Sequence, residues 1–500
     1  MFAWFLKIPP NCSTGCGQKS APARAPEAPP RPPVTGPAHT EPNIETPARA
    51  EPETPDQRDA EAPALPLATV KREEVEGGFR IGPFQNVQNL WWADQDRVFG
   101  MFTFDEGQVL GTVTLDGGTL TPIISQREGF YASQPVLDGS AFLFDRMGPG
   151  TAGQWLKEGN QEPRLLVQGP YRHVSPDGTR LVSYSPQGTI FVDLRTGSRH
   201  VMDTPGDVGR MAAVLNSWSA DGRRFLVQAG RDNPVPGFHF FDQQGRPAGN
   251  FAEPGFYSMW ARWSPDARYV AFLSIPIDLS YPPGEGMFEP AVAPRLGLLD
   301  VESGKARYIS VEGLVAAGPL LWSPDGRHVT VRFGRLATEN HMARILEESV
   351  YVVQPGSNQL HRVAGPAAAV TEGYLTVESW APDGRSLLIK SVRQGEGERY
   401  SVVHLGDGRA SEIPGEAVWI DFRRLAAVEQ GEAPHFGQTL HLVDHRGQVL
   451  RTVVVGTRIA FLTLHPAGTH LAFMVDSWKG TRKLGDPPAT YLYVVRTAGQ

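Results

Sequence analysis

The feature that most constrains the fold of this chain is a five-residue motif that recurs along it. The motif is Trp-Ser-Pro-Asp-Gly or differs from it at one position, and a short apolar run follows each copy. The copies lie at 174–178, 218–222, 263–267, 322–326 and 380–384. Pro presets the φ angle of a tight turn, Asp accepts backbone N–H bonds, and Gly takes the position with φ > 0. Each motif therefore predicts a turn that leads into a strand.

The residues around the turns predict strands and no helices between them. Apolar residues at 329, 331 and 333 alternate with polar ones at 328, 330 and 332, and the run 387–389 is apolar on both faces. The aspartate-equivalent positions recur about every 39 to 59 residues, a period typical of propellers and repeat arrays. Four strands per unit without a crossover helix predict an all-β fold, a single β-propeller of four-stranded antiparallel blades.

The number of blades is less certain than the fold. A direct count gives nine units, starting near residues 88, 132, 171, 213, 259, 316, 374, 416 and 459. Propellers usually have about four to eight blades. We favour eight, with nine as the next choice, because the first two units have the poorest motifs. The last unit ends after a third strand at 491–495, so a segment near 78–84 is expected to supply the fourth.

The repeat resembles that of the TolB-like propellers, a WD-like family with a Trp-Ser-Pro-Asp-Gly turn, over about residues 80–500. That family includes accessory proteins of the cell envelope and propellers attached to prolyl-oligopeptidase-type hydrolases. The resemblance implies structural roles for the repeat residues, namely core packing for the tryptophans and turn capping for the aspartates. The capping aspartates are Asp177, Asp221, Asp266, Asp325 and Asp383.

The first 77 residues differ in composition from the rest. Residues 17–77 hold thirteen prolines between Pro22 and Pro66 and no aromatic residue, which predicts a disordered, Pro-rich linker ahead of a propeller domain at 78–500. Residues 1–16 read as a possible signal or lipobox remnant. The sequence Thr14-Gly15-Cys16-Gly17 resembles a bacterial lipobox, with Cys16 as the lipidation candidate.

Three features of residues 1–16 depart from a lipoprotein signal. The segment has no basic n-region, Ser13 stands where a large aliphatic residue is usual, and Lys7, Pro9 and Pro10 interrupt the apolar stretch. A membrane-anchored lipoprotein, a secreted protein and a cytoplasmic protein with a disordered tail therefore all stay open. Extracytoplasmic placement is the preferred interpretation, with membrane contact only through the lipid.

Composition and motifs argue against several classes of protein. The net charge of −7 does not suit a nucleic-acid binder with a broad basic surface. The chain contains no Gly-x-Ser-x-Gly elbow, phosphate loop or His-Glu-x-x-His zinc motif. His441 and His445 lie too far apart along a strand to bind one metal ion. We therefore expect no cofactor, no metal and no catalytic residue, but a monomeric protein that binds a protein partner.

Three long insertions indicate where that partner would bind. They span 275–295, 334–348 and 476–490, and each connects the second and third strands of its unit, so all three emerge on one face. The stretch 338–348 reads as a short helix with Thr338 as N-cap. Solvated loops without a ligand are the alternative. The candidate binding residues are Asp278, Tyr281, Glu285, Phe288, Glu339, His341, Arg344, Trp478, Lys479, Arg482 and Lys483.

Overall fold

The strands of this protein are seen in a computed structural model that covers most of the chain after residue 69. It describes residues 70–497 except 106, 117, 127–129, 147–151, 170, 186–187, 205–216, 230–236, 278–285, 288–291, 340–341, 358, 366–372, 394–396, 432–436 and 478–488. The possible signal at 1–16, with Cys16, and nearly all of the predicted linker at 17–77 lie outside the described residues. All regular structure within the described residues is β-strand, in nine antiparallel sheets.

The first four blades follow the chain, one sheet after another. Blade 1 consists of β3 Asn86–Trp92, β4 Arg97–Phe104, β5 Gly107–Thr114 and β6 Leu120–Gln126. Blade 2 consists of β7 Phe130–Val136, β8 Ala141–Arg146, β9 Gly153–Glu158 and β10 Arg164–Val167. Blade 3 consists of β11 Tyr171–Val174, β12 Arg180–Ser185, β13 Gly188–Asp193 and β14 Arg199–Val201. Blade 4 consists of β15 Ser217–Trp218, β16 Arg224–Ala229, β17 Gly237–Asp242 and β18 Pro247–Phe251.

The next four blades repeat this order, with one extra strand. Blade 5 consists of β19 Phe256–Trp263, β20 Tyr269–Pro276, β22 Arg295–Asp300 and β23 Lys305–Ile309. Blade 6 consists of β24 Val315–Trp322, β25 Val329–Glu339, β26 Met342–Val353 and β27 Leu360–Ala364, joined by the short β21 Gly286–Met287. Blade 7 consists of β28 Gly373–Trp380, β29 Ser386–Arg393, β30 Gly397–His404 and β31 Ala410–Ile413. Blade 8 consists of β32 Glu416–Trp419, β33 Arg424–Gln430, β34 Gln438–Asp444 and β35 Val449–Gly456.

The ninth blade takes strands from both ends of the described chain. It consists of β36 Arg458–Leu464, β37 His470–Ser477, β38 Ala489–Arg496 and β2 Gly78–Phe84, with β1 Lys71–Val75 outside β2. β2 pairs with β38 from Gly78↔Val495 to Ile81↔Leu492, which confirms the predicted donor of the fourth strand. β1 lies within the range assigned to the linker and forms a hairpin with β2. The ring is thus closed by pairing the start of the domain with its end.

The structure has nine blades, as the repeat count gave, and not the eight that we favoured. The first two units do form their own sheets, although their turns lack the full motif. In blade 2 the residues Leu137 and Asp138 themselves adopt φ near +52° and +56°, and Gly139 follows at +79°. Asp and Gly tolerate this region, so the turn forms without Pro. The usual range of blade numbers was a poor guide here.

The core lies between the blades, because each sheet packs against a sheet on either side. The middle strands are therefore buried on both faces, as Leu387, Leu388 and Ile389 are in blade 7. One apolar cluster joins residues of the closing blade, such as Met474 and Leu492, to Val98 and Phe102 of blade 1. Burial of this seam fixes the two ends of the domain together.

The predicted helix at 338–348 is wrong, because this stretch belongs to a long hairpin. β25 and β26 pair beyond the body of blade 6, through a bulge at Phe333 and on to Glu339↔Met342. β21, from the blade 5 insertion, pairs with the outer end of β25 through Gly286↔Thr338 and Met287↔Ala337. Glu, Met, Ala, Arg and Leu favour a helix locally, but strand pairing on both sides of β25 satisfies more backbone groups and overrides that preference.

Candidate interaction face

The blade topology divides the propeller surface into two faces. The turns that join the first strand to the second and the third to the fourth lie on one side, which we call the turn face. The connections from the second strand to the third lie on the other side, which we call the insertion face. All three long insertions are connections of this second kind, between β20 and β22, β25 and β26, and β37 and β38.

The turn face repeats one hydrogen-bond pattern from blade to blade. In blade 4 the Ser219 hydroxyl donates to Asp221 Oδ1 over 2.6 Å, the Arg223 N–H donates to the same oxygen over 3.0 Å, and the Arg224 N–H donates to Ser219 Oγ over 3.0 Å. Asp177, Asp266 and Asp325 accept from the serine two residues before them in the same way. The aspartate oxygens are directed into their own turns, where they satisfy backbone donors.

These bonds also set the charge state of the turn aspartates. Partial burial alone would raise the pKa of Asp221, but the bonds from Ser219 and the Arg223 N–H hold that pKa below its ordinary value. The pKa values of Asp177 and Asp325 are lowered in the same way. In blade 7 Ala381 replaces the serine, and Asp383 accepts from the Arg385 N–H over 3.0 Å. The turn face is therefore held by ionised carboxylates.

The repeated tryptophans tie each blade to the one before it. The indole N–H of Trp322 donates to the carbonyl of Arg262 in blade 5 over 3.0 Å, and that of Trp380 donates to Leu321 in blade 6 over 3.2 Å. Each acceptor immediately precedes the residue that occupies the tryptophan position of its own blade. Trp218 and Trp263 make the corresponding bonds over 3.0 and 3.3 Å. Their Nε1 atoms are thus used in blade packing.

Most of the predicted binding residues cannot be located on the insertion face. Glu339 and Arg344 lie on β25 and β26, where the backbone is described and the side chains are not. The remaining candidates lie outside the described residues, and they are Asp278, Tyr281, Glu285, Phe288, His341, Trp478, Lys479, Arg482 and Lys483. Whether these side chains converge stays a prediction.

The base of the blade 5 insertion carries a charged cluster that sequence analysis missed. Arg295, where the insertion ends, forms an ion pair with Glu253, and its guanidinium lies 4.0 Å from the centre of the Tyr308 ring. Ser274, near the start of the insertion, donates to Glu253 over 2.7 Å. Burial and the hydrogen bond with Glu253 raise the pKa of Tyr308. Glu253 comes from the connection before β19, and no local pattern links it to Arg295.

A second buried ion pair supports the base of the blade 6 hairpin. Arg332 Nη1 donates to both carboxylate oxygens of Glu348 over 2.9 and 2.7 Å, and to the carbonyl of Leu375 in blade 7 over 2.8 Å. Its Nη2 donates to the carbonyl of Gly318 in β24. Burial raises the pKa of Glu348 although Arg332 is bound to it. One side-chain pair thus connects the hairpin to the inner strands of blades 6 and 7.

The described residues offer little of what a ligand or metal pocket requires. A depression of about 360 Å³ between blades 7 and 8 is lined by polar residues including Glu398, Glu412 and Glu429. Ligand pockets are mostly apolar, so this depression does not resemble one. Within the part of the chain that the structure describes, no group of three or more His, Cys, Asp or Glu is arranged to hold a metal ion. Nor does that part contain a helix able to cross a membrane.

The fold and its repeated turns define the class of protein, a nine-bladed β-propeller that resembles TolB and WD40 propellers. One subunit of eukaryotic translation initiation factor 3 from Mycosarcoma maydis is 26% identical over 345 residues, which are 64% of this chain and 42% of that protein. The chain thus spans less than half the length of this relative. No family model matches the chain.

Two solved structures illustrate the similarity of fold. The crystal structure of the eukaryotic initiation factor is 12% identical, with a TM-score of 0.47 over 74% of this chain and 87% of that one. TolB from Acinetobacter baumannii is 14% identical, with a TM-score of 0.28 over 64% of this chain and 76% of that one. At such identities the similarity concerns the fold and no activity.

Proposed function

We propose that the protein is a non-catalytic propeller that binds a protein partner through its insertion face. The observation that carries this proposal is the joint structure of two insertions: β21 leaves blade 5 and pairs with the hairpin that extends from blade 6. Extra strands that go beyond a blade do nothing for the packing between blades. They do create an irregular surface held by two buried ion pairs, which suits the recognition of a folded partner.

The third insertion supplies the anchor residues of the proposed surface. Trp478 is followed by Lys479, with Arg482 and Lys483 close behind. Tryptophan and arginine are enriched among residues that dominate binding energy at protein interfaces. The acidic and aromatic residues of the first insertion would complement this basic segment across the same face.

A matched pair of variants tests the proposed face. Trp478→Ala with Lys479→Ala should weaken partner capture by about 2 kcal/mol or more and leave the melting temperature unchanged. Asp177→Ala with Asp325→Ala, on the turn face, should lower the melting temperature and leave capture intact. The partner is isolated by pull-down from cell extract with the wild-type protein, and both variants are then titrated against it. Loss of capture in the aspartate variant alone would place the binding surface on the wrong face.

The placement of the protein is a separate proposal, that Cys16 is lipidated and tethers the propeller outside the cytoplasm. Its support is the Thr14-Gly15-Cys16-Gly17 sequence followed by a Pro-rich spacer. Cys16→Ala should release the protein from membranes into the soluble fraction, while a Cys12→Ala control should stay bound. Equal membrane association of both variants would refute lipidation at Cys16.

The similarity to a component of an initiation factor favours a second candidate, an intracellular propeller that holds a partner within an assembly. The two candidates differ in where the full-length chain is found. Fractionation of cells that express the untagged protein separates them, because only the first predicts a lipidated chain in the membrane fraction. A propeller remnant of a prolyl-oligopeptidase-type hydrolase is the remaining alternative, and it predicts cleavage of a Pro-containing peptide only when a hydrolase is added.

A further inference from the structure

The turn at 464–468 in blade 9 differs in chemistry from the turns of the other blades. Its sequence is Leu-His-Pro-Ala-Gly, so His465 occupies the place of the serine and Ala467 the place of the aspartate. No carboxylate is therefore available within the turn to accept its backbone N–H groups. This turn also lies at the junction of the first and last blades, where the ring closes.

His465 replaces both missing groups. Its Nδ1 accepts the N–H of Ala467 over 3.0 Å, as the aspartate does elsewhere. Its Nε2 lies 2.8 Å from the carbonyl oxygen of Gln95, in the first turn of blade 1. Since a carbonyl only accepts, Nε2 carries the proton and Nδ1 does not. The ring is 4% exposed and packs edge-on against Trp92, with centroids 4.7 Å apart.

The surroundings offer a protonated His465 no carboxylate that is free to pair with it. The charged and titratable groups that face it come from three blades, and they are Asp94, Asp96 and Arg97 of blade 1, Asp421 and Arg424 of blade 8, and His470 and Arg496 of blade 9. Arg97 binds Asp94, and Arg424 binds Asp421 and donates to the Thr497 carbonyl. Among the hydrogen bonds of the described residues, none joins His465 to a carboxylate.

We propose that His465 is an acid-sensitive latch of the propeller ring. A solvent proton added to Nδ1 converts the acceptor of the Ala467 N–H into a donor, so two N–H groups face each other and the turn must rearrange. The Nε2 bond to Gln95 then loses its fixed geometry, and the junction of blades 9 and 1 loosens on the turn face. Histidine protonates between about pH 5 and 8.

The other turns should hold in the same range of pH. Their carboxylates have pKa values below the ordinary one, as for Asp177, Asp221 and Asp325, so they stay ionised in mild acid. Acid would therefore act on one junction out of nine and leave the rest of the ring intact. Burial lowers the pKa of His470, and the positive charges of His465 and Arg496 lower it further, so His470 protonates after the latch has opened.

Hydrogen exchange of the full-length protein tests the latch against an internal reference. Between about pH 7.5 and pH 5, the protection of the amides at 95–97 and 467–469 should fall about tenfold after correction for intrinsic rates, while that of the amides at 221–224 should not. The variant His465→Ser/Ala467→Asp rebuilds Ser-Pro-Asp-Gly and should abolish the fall. His470→Asn should leave the fall unchanged.

Each outcome decides the proposal. Equal protection of the wild-type junction at both values of pH would overturn it, and this measurement needs no variant to fold. A fall that persists in the rebuilt turn, or that disappears in His470→Asn, would assign the acid response to another group and also refute the latch.

Discussion

The turn face of blades 3–7 and the insertion face of blades 5–7 are held together in different ways. On the turn face the same small interaction recurs, a carboxylate that accepts from a serine or a backbone N–H, and an indole N–H that reaches the preceding blade. On the insertion face the interactions occur once each and involve buried charge, as in Arg332–Glu348 and Arg295–Glu253. Repetition spreads stability over many bonds, whereas a single buried pair concentrates it.

The largest difference should follow from breaking the pair at the base of the blade 6 hairpin. Arg332→Met leaves Glu348 buried without its partner, and such losses cost about 3–5 kcal/mol of the free energy of unfolding. Chemical denaturation measures this change. The control is Arg332→Met/Glu348→Leu, which removes both charges and should cost clearly less. A double variant as unstable as the single one would show that packing, and not charge, holds this site.

A smaller loss is expected on the turn face. Asp325→Ala removes the acceptor of the Ser323 hydroxyl and of the Arg327 N–H, which should cost about 0.5–2 kcal/mol. Asp383 makes a matched control, because Ala381 gives it no serine partner. Asp383→Ala should therefore cost less than Asp325→Ala in the same denaturation experiment. The reverse order would contradict the role given to the serine.

The two regions should also differ in how their aspartates respond to pH. Burial raises the pKa of Asp145 to about 6, although Arg172 donates to it over 2.5 Å between blades 2 and 3. A carboxyl whose pKa is higher in the folded state binds protons more readily there, so its contribution to stability rises as pH falls from about 7 to 5. The turn aspartates have lowered pKa values, and their contribution is lost only below about pH 4.

Asp145→Asn isolates this last effect, which is the smallest at any one pH because it is spread over the whole titration. The difference in free energy of unfolding between wild type and Asp145→Asn should grow between about pH 7 and 5. Asp221→Asn should show no trend over that range and a decreasing difference in stronger acid. A flat difference for Asp145→Asn would mean that Arg172 keeps this carboxyl ionised.

How much of the molecule the sequence predicts depends on whether an element repeats. The turn motif predicted the strands, the starts of the blades and the closing role of Gly78–Phe84, because each depends on local turn chemistry or on the unpaired edge of the last unit. The preference for eight blades was wrong, because it followed the usual number and discounted weak turns. Asp138 and Gly139 accept the backbone angles of the turn without a proline.

The insertion face was predicted only in position. Gly286 and Met287 have no strand pattern, and they pair with β25 only because blades 5 and 6 are neighbours. The helix expected at 338–348 reflects a local preference that long-range pairing overrides. Arg332 and Glu348 lie 16 residues apart, and only the hairpin brings them together. The side chains of the eleven candidate binding residues stay a prediction.

The closing strand also determines how a mechanical load would enter the molecule. Any pull on the chain ahead of Val70 reaches β1 first, and β1 is bound to the ring through β2 alone. Five residues of β1 can peel away and lengthen the spacer by about 16 Å at the rise of a strand. β2 would still be paired with β38 at that point. The outer strand thus acts as an extensible link that absorbs tension before the ring is strained.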